Sequence, residues 1–258
     1  MPPKKNLPVA LTIAGSDSGG GAGMQADLRV FQSVGVHGAS VVTALTAQNP
    51  KSVQAAQPVN AKLVQQQLES VFIGFKVKAA KTGMLLTASN VDVVSEWFTK
   101  RKISLVVDPV MVSTSGTVLL KANAIKSLQK KLLPLATLVT PNIPEAEHLT
   151  GLKIREESDQ QSAACAMYEV YGCAILLKGG HLRGMKATDI FFDGEKVTVL
   201  SARRVKAKQL PGTGCYYSAW ITAELAKGKN LLSAIRAAKK RITAAISLPC
   251  RAGCQSIL

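Results

Sequence analysis

The sequence predicts an α/β fold: a mostly parallel sheet with helices on both faces. Three observations predict it. Short apolar runs recur that are continuous rather than alternating in polarity, as strands buried on both faces require. Stretches with helical spacing of apolar residues separate them. Gly, Pro and polar residues gather directly after the apolar runs, at the strand ends where open α/β sheets bind ligands.

Val9–Ala14 opens the chain as a buried strand and Met24–Val34 follows as a helix. After the strand Ala39–Ala44, Asn60 caps a helix over Ala61–Phe72, because its side-chain oxygen can accept an orphan N–H of the first turn. Ala79–Lys81 precedes the helix Asn90–Lys102, and Leu105–Val107 precedes Ala122–Leu133. Next come the strand Leu138–Val139, a helix Gln160–Tyr171 capped by Asp159, and the strand Ala174–Leu177. Ile190–Phe192 and Val197–Leu200 read as an antiparallel hairpin turning at Asp193-Gly194. Helices Tyr216–Leu225 and Leu231–Leu248 close the chain. There is no linker, repeat or low-complexity tract, so residues 1–258 are expected to form one domain, with residues 1–8 as a flexible N-terminal extension.

Composition narrows the function. Apolar residues make up 47%, which argues against disorder, and no apolar run reaches a membrane span. Val9–Ala14 is too short for a signal-peptide core, so the expected location is the cytoplasm. Five cysteines, an odd number spread through helices and strands, read as free thiols; Cys250 and Cys254 lack a second pair for zinc. The net charge of +16 raises nucleic acid as a partner, but the basic clusters lack interleaved aromatics. An anionic small substrate with a solvated basic surface explains it more simply.

Four constellations carry chemistry. Pro211-Gly212-Thr213-Gly214-Cys215 precedes a helix, and glycine backbone plus unpartnered helix N–H groups make a socket for phosphate oxygens. The segment lacks the Gly-Lys-Ser/Thr of a Walker A loop, and a plain Gly-rich turn is the competing reading. Gly15-Ser16-Asp17-Ser18-Gly19-Gly20-Gly21-Ala22-Gly23 fits a loose dinucleotide fingerprint, but no Asp or Glu occurs between Asp27 and Glu69 to hold a ribose. What remains is a loop closing over a small substrate, or an ordinary tight turn. Asn142-Ile143-Pro144-Glu145 can hold Mg²⁺ through waters with Asp108 as a second charge, or simply start a helix, with Asp108 as a cap. Lys178, ending an apolar strand before two glycines, can neutralise a moving phosphoryl group or snorkel at the rim. The histidines His37, His148 and His181 support no Ser/His/Asp triad; only His181, after the glycine pair, is placed to touch a ligand.

Together the strings ALTIAGSDSGGGAGMQADLRVF, VVTALTAQN, KTGML, DPVMVSTSG, TPNIPEAEHLTG, LKGGH and GTGC resemble the hydroxymethylpyrimidine/phosphomethylpyrimidine kinases of thiamine biosynthesis, in the ribokinase-like superfamily. The resemblance spans residues 9 to about 247. It implies the three-layer ribokinase-like fold, a homodimer, and use of ATP and Mg²⁺. The implied reaction phosphorylates 4-amino-5-hydroxymethyl-2-methylpyrimidine and then its monophosphate. Gln48 matches the position whose amide pairs with the aminopyrimidine, offering both donor and acceptor. Ala22, Met84 and Val110 match ring-pocket positions, Asp27 stands at the loop, and Gly15 opens it. Gly212 and Gly214 match backbone donors to the β- and γ-phosphates, with Thr213 between them on the nucleotide side. Cys215 stands where relatives place an aspartate base, and Lys239 matches a helix position near the nucleotide.

The departures are specific. Pro211 replaces a usual His, Tyr216 a Thr, Trp220 a small residue, and Thr117 stands where an acid often follows Ser-Gly. Without the His, the helix N-terminus is expected to lower the Cys215 thiol pKa. Two rival functions stay open. Pyridoxal or pyridoxine kinases share nearly the same motifs but tend to carry Met or another residue in place of Gln48. A basic, non-catalytic binding protein on a kinase fold is the other.

Overall fold

The computed structural model describes residues 6–112, 118–180, 182, 184–205, 212–248, 250–252 and 255–257. The expectations for Thr117, His181, Pro211, Cys254 and residues 1–5 lie outside the described residues. Of the proposed N-terminal extension, Pro8 is tied down: its carbonyl accepts the His37 N–H at 2.9 Å.

Side-chain alternation along the strands builds the layers. In β1 (Val9–Ser16), Leu11 and Ile13 join one core cluster and Ala10 the other. The strands β5 (Ser104–Val107), β6 (Leu138–Val139) and β7 (Ala174–Leu177) divide likewise. Leu105, Val107, Val139, Ile175 and Leu177 go one way; Val106, Leu138 and Leu176 go the other. A strand apolar at every position must be covered on both faces. The helices α1 (Gly23–Ser33), α7 (Thr213–Ala226) and α8 (Leu231–Ser247) cover one face. On the other lie α2 (Ala61–Gly74), α3 (Ala88–Thr99), α4 (Ala122–Ser127), α5 (Ile143–Thr150) and α6 (Glu157–Tyr171).

With β2 (His37–Asn49), β3 (Ser52–Pro58), β4 (Val77–Thr82), β8 (Lys186–Phe192) and β9 (Val197–Arg203), these strands form a nine-stranded sheet in the order β3-β2-β1-β4-β5-β6-β7-β8-β9. The pairs from β2 through β7 are parallel, while β3, β8 and β9 pair antiparallel at the two edges. The predicted α/β class, parallel core and terminal hairpin all stand.

Several boundaries move. The strand predicted to end at Ala44 runs on to Asn49, because beyond the core it pairs with β3, which the sequence reading missed. That extension is exposed, so burial leaves no apolar run to find. Thr46 and Gln48 therefore sit on a strand, not in a loop after it. The cap of α6 is Glu156, not Asp159, whose carboxylate accepts the N–H groups of Arg155 and Glu156 from the third helical position. The last predicted helices are followed by a small pair, β10 (Cys250–Ala252) with β11 (Gln255–Ile257). Among the described residues no helix is long and apolar enough to cross a membrane.

Candidate active site

A cleft of about 1170 Å³ runs along the carboxyl ends of the parallel strands. Every described residue singled out as a site candidate borders it. What differs is what each side chain does there.

At one end lies a small apolar floor of Ala44, Met84 and Leu119, with Val110 packed against it. Gly15 lies beneath it, where a Cβ would stand 2.4 Å from the Met84 methyl and push that flexible side chain aside. Val110 holds φ +41°, a left-handed conformation that a β-branched residue adopts only under constraint. Gln48 is fixed over this end through its backbone: Ser18 Oγ accepts its N–H and donates to its C=O, both at 2.8 Å. Asp17, which the sequence reading passed over, shapes the glycine loop by accepting the N–H groups of Gly19 and Ala22 at 2.8 Å each.

The anion socket differs from expectation in one respect. The helix starts at Thr213 rather than Tyr216, so Gly214 and Cys215 belong to its first turn and Gly212 is its cap. Gly212 has φ +77°, and a Cβ on it would meet the Gly21 carbonyl at 2.1 Å. Only glycine lets the helix start stack on the substrate loop this closely. A Cβ at Gly214 would come 3.2 Å from Lys178 Nζ. Lys178 in turn pairs with Asp108 at 3.0 Å, and Ser218 donates to the other Asp108 oxygen at 3.2 Å. Burial favours the neutral amine of Lys178, but the charges of Asp108 and Glu145 outweigh it and hold its pKa above the ordinary value.

Cys215 overturns the expected lowering. Burial is the main cause, and with Asp27 and Asp108 nearby it pushes the thiol up to about 12, against the pull of Lys81 and a Gly23 N–H. The dipole of one helix start does not offset a dry site flanked by carboxylates. Asp27 is not a loop residue either. It lies within α1, fully buried, paired with Lys81 at 2.8 Å and accepting the Thr12 hydroxyl at 2.6 Å. Its other oxygen has no partner. Lys81, a lysine ending an apolar strand, is a residue the motif search named but did not weigh.

Asn142 and Glu145 form a reciprocal capping box at the start of α5, each side chain accepting the other's N–H at 2.9 Å. Asp108 caps no helix; its carboxylate is committed to Lys178 and Ser218. Burial raises the Glu145 pKa, with Lys178 opposing and Asp108 adding to the rise. Among the described residues no cluster of three acids, cysteines or histidines could cage a metal. The two carboxylates retain lone pairs, which fits an ion held mostly by phosphate and water rather than by protein.

At the far end, Lys239 is already engaged, 2.7 Å from Asp189 and 3.0 Å from the Ala187 carbonyl. Asp189, 3% exposed, also accepts the Gly179 N–H at 3.0 Å and the Tyr217 hydroxyl at 3.1 Å. One buried carboxylate thus joins the segment after Lys178 to both α7 and α8. No sequence motif marks it; its only trace is an acid inside an otherwise apolar strand end. Of the other candidates, His37 stacks on Phe75 at 5.0 Å, away from the cleft, and His148 is exposed at its margin.

Comparison with known proteins agrees with this geometry. The family described as Phosphomethylpyrimidine kinase matches residues 17–257. The chain is 48% identical over 240 residues to a hydroxymethylpyrimidine/phosphomethylpyrimidine kinase of Rhizobium meliloti, covering 93% of this chain and 90% of that one. Among solved structures, phosphomethylpyrimidine kinase from Clostridium difficile 630 superposes with a TM-score of 0.82 at 41% identity, over 93% of this chain and all of that one. An ADP complex of Bacillus subtilis pyridoxal kinase superposes with a TM-score of 0.89 at 35% identity, over 98% and 96% of the two chains. A ribokinase-like sheet, a glycine-capped helix start facing a lysine, and these relatives lead to one conclusion: the chain belongs to the phosphomethylpyrimidine kinase family.

Proposed function

We propose that this kinase transfers the γ-phosphoryl group of ATP to the hydroxymethyl oxygen of 4-amino-5-hydroxymethyl-2-methylpyrimidine, and then phosphorylates the monophosphate to the diphosphate. One observation carries the reading. Gln48, over the apolar floor of Ala44, Met84 and Leu119, and the socket of residues 212–215, with Lys178 beside Gly214, border a single cleft.

The chemistry follows from what these groups do. Met84, Val110 and Ala22 flank the ring, and the Gln48 amide reads its amino group and neighbouring nitrogen. The first turn of α7, at Gly214 and Cys215, lies ahead of the first intrahelical bond, which Tyr216 donates to the Gly212 carbonyl, and its N–H groups face the phosphates. Lys178 exchanges part of its Asp108 contact for the transferred group as charge builds there. The substrate oxygen forms the new P–O bond while the bond to the ADP oxygen breaks. The hydroxyl proton leaves late in such a loose transition state, to an oxygen of the transferred phosphoryl group or to water. A Cys215 thiol titrating near 12 is almost wholly protonated at neutral pH, so positioning and charge stabilisation carry most of the rate. Asp108 and Glu145 would hold Mg²⁺ through water, and the ion would supply charge neutralisation on the phosphate chain. Asn142, spent on its cap, is a support for Glu145, and Lys239 acts on the nucleotide only if it leaves Asp189.

Pyridoxal phosphorylation is the second reading, favoured by the similarity to Bacillus subtilis pyridoxal kinase. A panel of the pyrimidine, its monophosphate and pyridoxal, read by product mass, tests both. We expect a higher kcat/KM on the pyrimidine; a tenfold preference for pyridoxal sinks the assignment. No turnover, with intact nucleotide binding and tight salt-sensitive binding of nucleic acid, would instead favour a basic non-catalytic binding protein. The domain is proposed to act as a cytoplasmic homodimer, which light scattering on the purified chain checks.

A further inference from the structure

In the connection from Lys178 to β8, the carbonyl groups of Gly180, Leu182 and Gly184 are not left to solvent. They converge on one side chain. Arg204, just past the end of β9, donates from Nε to the Gly184 carbonyl at 2.8 Å and from Nη1 to the Gly180 carbonyl at 2.7 Å. From Nη2 it donates to the carbonyls of Leu182 and, at 3.3 Å, Lys186. Its own backbone N–H donates to the Met185 carbonyl at 2.8 Å. Among the described residues this guanidinium has no carboxylate partner, so its charge is met by carbonyl dipoles alone.

That arrangement needs arginine. A planar fork with five N–H donors reaches four carbonyls at once, which a lysine with three donors on a single nitrogen cannot do. The position matters as much as the count. Arg204 and Gly180 border the same cleft as Lys239, Thr243 and the socket residues 212–215. The same connection is held at its start by Asp189, through the Gly179 N–H at 3.0 Å. Uncompensated carbonyl oxygens beside a polyanion would repel it; one cation at their centre cancels that repulsion.

We propose that Arg204 is a positioning residue for the nucleotide, holding the backbone at Gly180, Leu182, Gly184 and Lys186 in the shape that accepts the phosphate chain of ATP. The inference rests on the kinase reading above, and its test separates the two. In the full-length chain, Arg204→Ala should weaken binding of a non-hydrolysable ATP analogue, measured by calorimetry, by about 10- to 100-fold. The KM for ATP should rise in step while the KM for the pyrimidine stays unchanged. Guanidinium chloride, far below denaturing concentration, should restore much of the lost affinity in this variant, and ammonium chloride should not. Arg204→Lys should remain weakened, because it keeps the charge without the fork; it also serves as the test if the alanine variant does not fold. Unchanged analogue affinity in Arg204→Ala, or full affinity in Arg204→Lys, overturns the proposal. If the wild type phosphorylates no pyrimidine but the analogue affinity still depends on Arg204, the functional reading falls and this inference stands.

Discussion

Gly214 and Cys215 sit side by side in the first turn of α7 and should fail differently when changed. A valine at 214 would drive carbon atoms against Lys178 Nζ, 3.2 Å from the first of them, and into the path of the phosphate. Cys215→Ala removes one thiol that is already protonated at neutral pH, so we expect a loss in kcat smaller than the about 10²-fold of a working proton acceptor. Gly214→Val should lose more, and near wild-type turnover in that variant would refute the socket. Cys215→Asp should keep partial activity. With the thiol near 12, alkylation of Cys215 by iodoacetamide should be slow at pH 7 and keep accelerating beyond pH 9 without a plateau, as peptide mass spectrometry would show. Val110 offers a separate test. Val110→Gly releases backbone strain of about 1–3 kcal/mol while adding about 0.5–1 kcal/mol of unfolded-state freedom. Thermal stability should therefore hold or rise, by up to about 2 kcal/mol, while the KM for the pyrimidine rises. These positions were legible because they stand in motifs. Lys81, Asp189 and Arg204 were not, because their partners come from segments that only the fold brings together, whereas Asp17 stands in a motif beside its partners Gly19 and Ala22.

Among the elements, the junction of α7 and α8 is set by one acid. Glu224, 2% exposed, faces Lys229 at 2.8 Å, Lys227 at 3.6 Å and Arg241 at 3.8 Å. Burial alone would raise its pKa, but the three cations prevail and hold it below the ordinary value. A carboxyl lowered on folding contributes stability above its unfolded pKa and loses it as pH falls through the folded value. Glu224→Gln should cost about 1–2 kcal/mol at pH 7, and the deficit should shrink in acid, as denaturant titrations at two pH values would reveal. Most elements built on core burial were read correctly from sequence, down to strands as short as β6, but the helix expected over Ala122–Leu133 is α-helical only to Ser127 and continues as a π turn and a 3-10 turn. Those built on something else were missed or shifted: β3 is an exposed edge, and the entry to α6 is set by Glu156 with Asp159 as support. The Asn142 and Glu145 spacing reads both as a metal motif and as a helix start; the capping box shows the helix start and leaves Glu145 lone pairs for an ion.

For the molecule as a whole, a net charge of +16 should act on the anionic substrate alone. The kcat/KM for ATP should fall as salt shortens the Debye length from about 30 Å at 0.01 M to about 8 Å at 0.15 M, while the KM for the neutral pyrimidine stays level. Equal salt sensitivity of both substrates would remove steering as the role of that charge. The fold class was legible at this scale because alternation of buried strands and helices admits few arrangements; the cleft was legible only as a convergence of strand ends. The sheet has a further consequence. Because each strand sends successive side chains to opposite clusters, the sheet acts as a partition between two independently varying halves. The helices α1 and α7, which carry the substrate loop and the socket, hang on the same side and share one core. Sequence drift among α2, α3 and α6 can therefore accumulate out of hearing of the chemistry, and exchange of that face between relatives should yield chimeras that keep their parent's substrate choice.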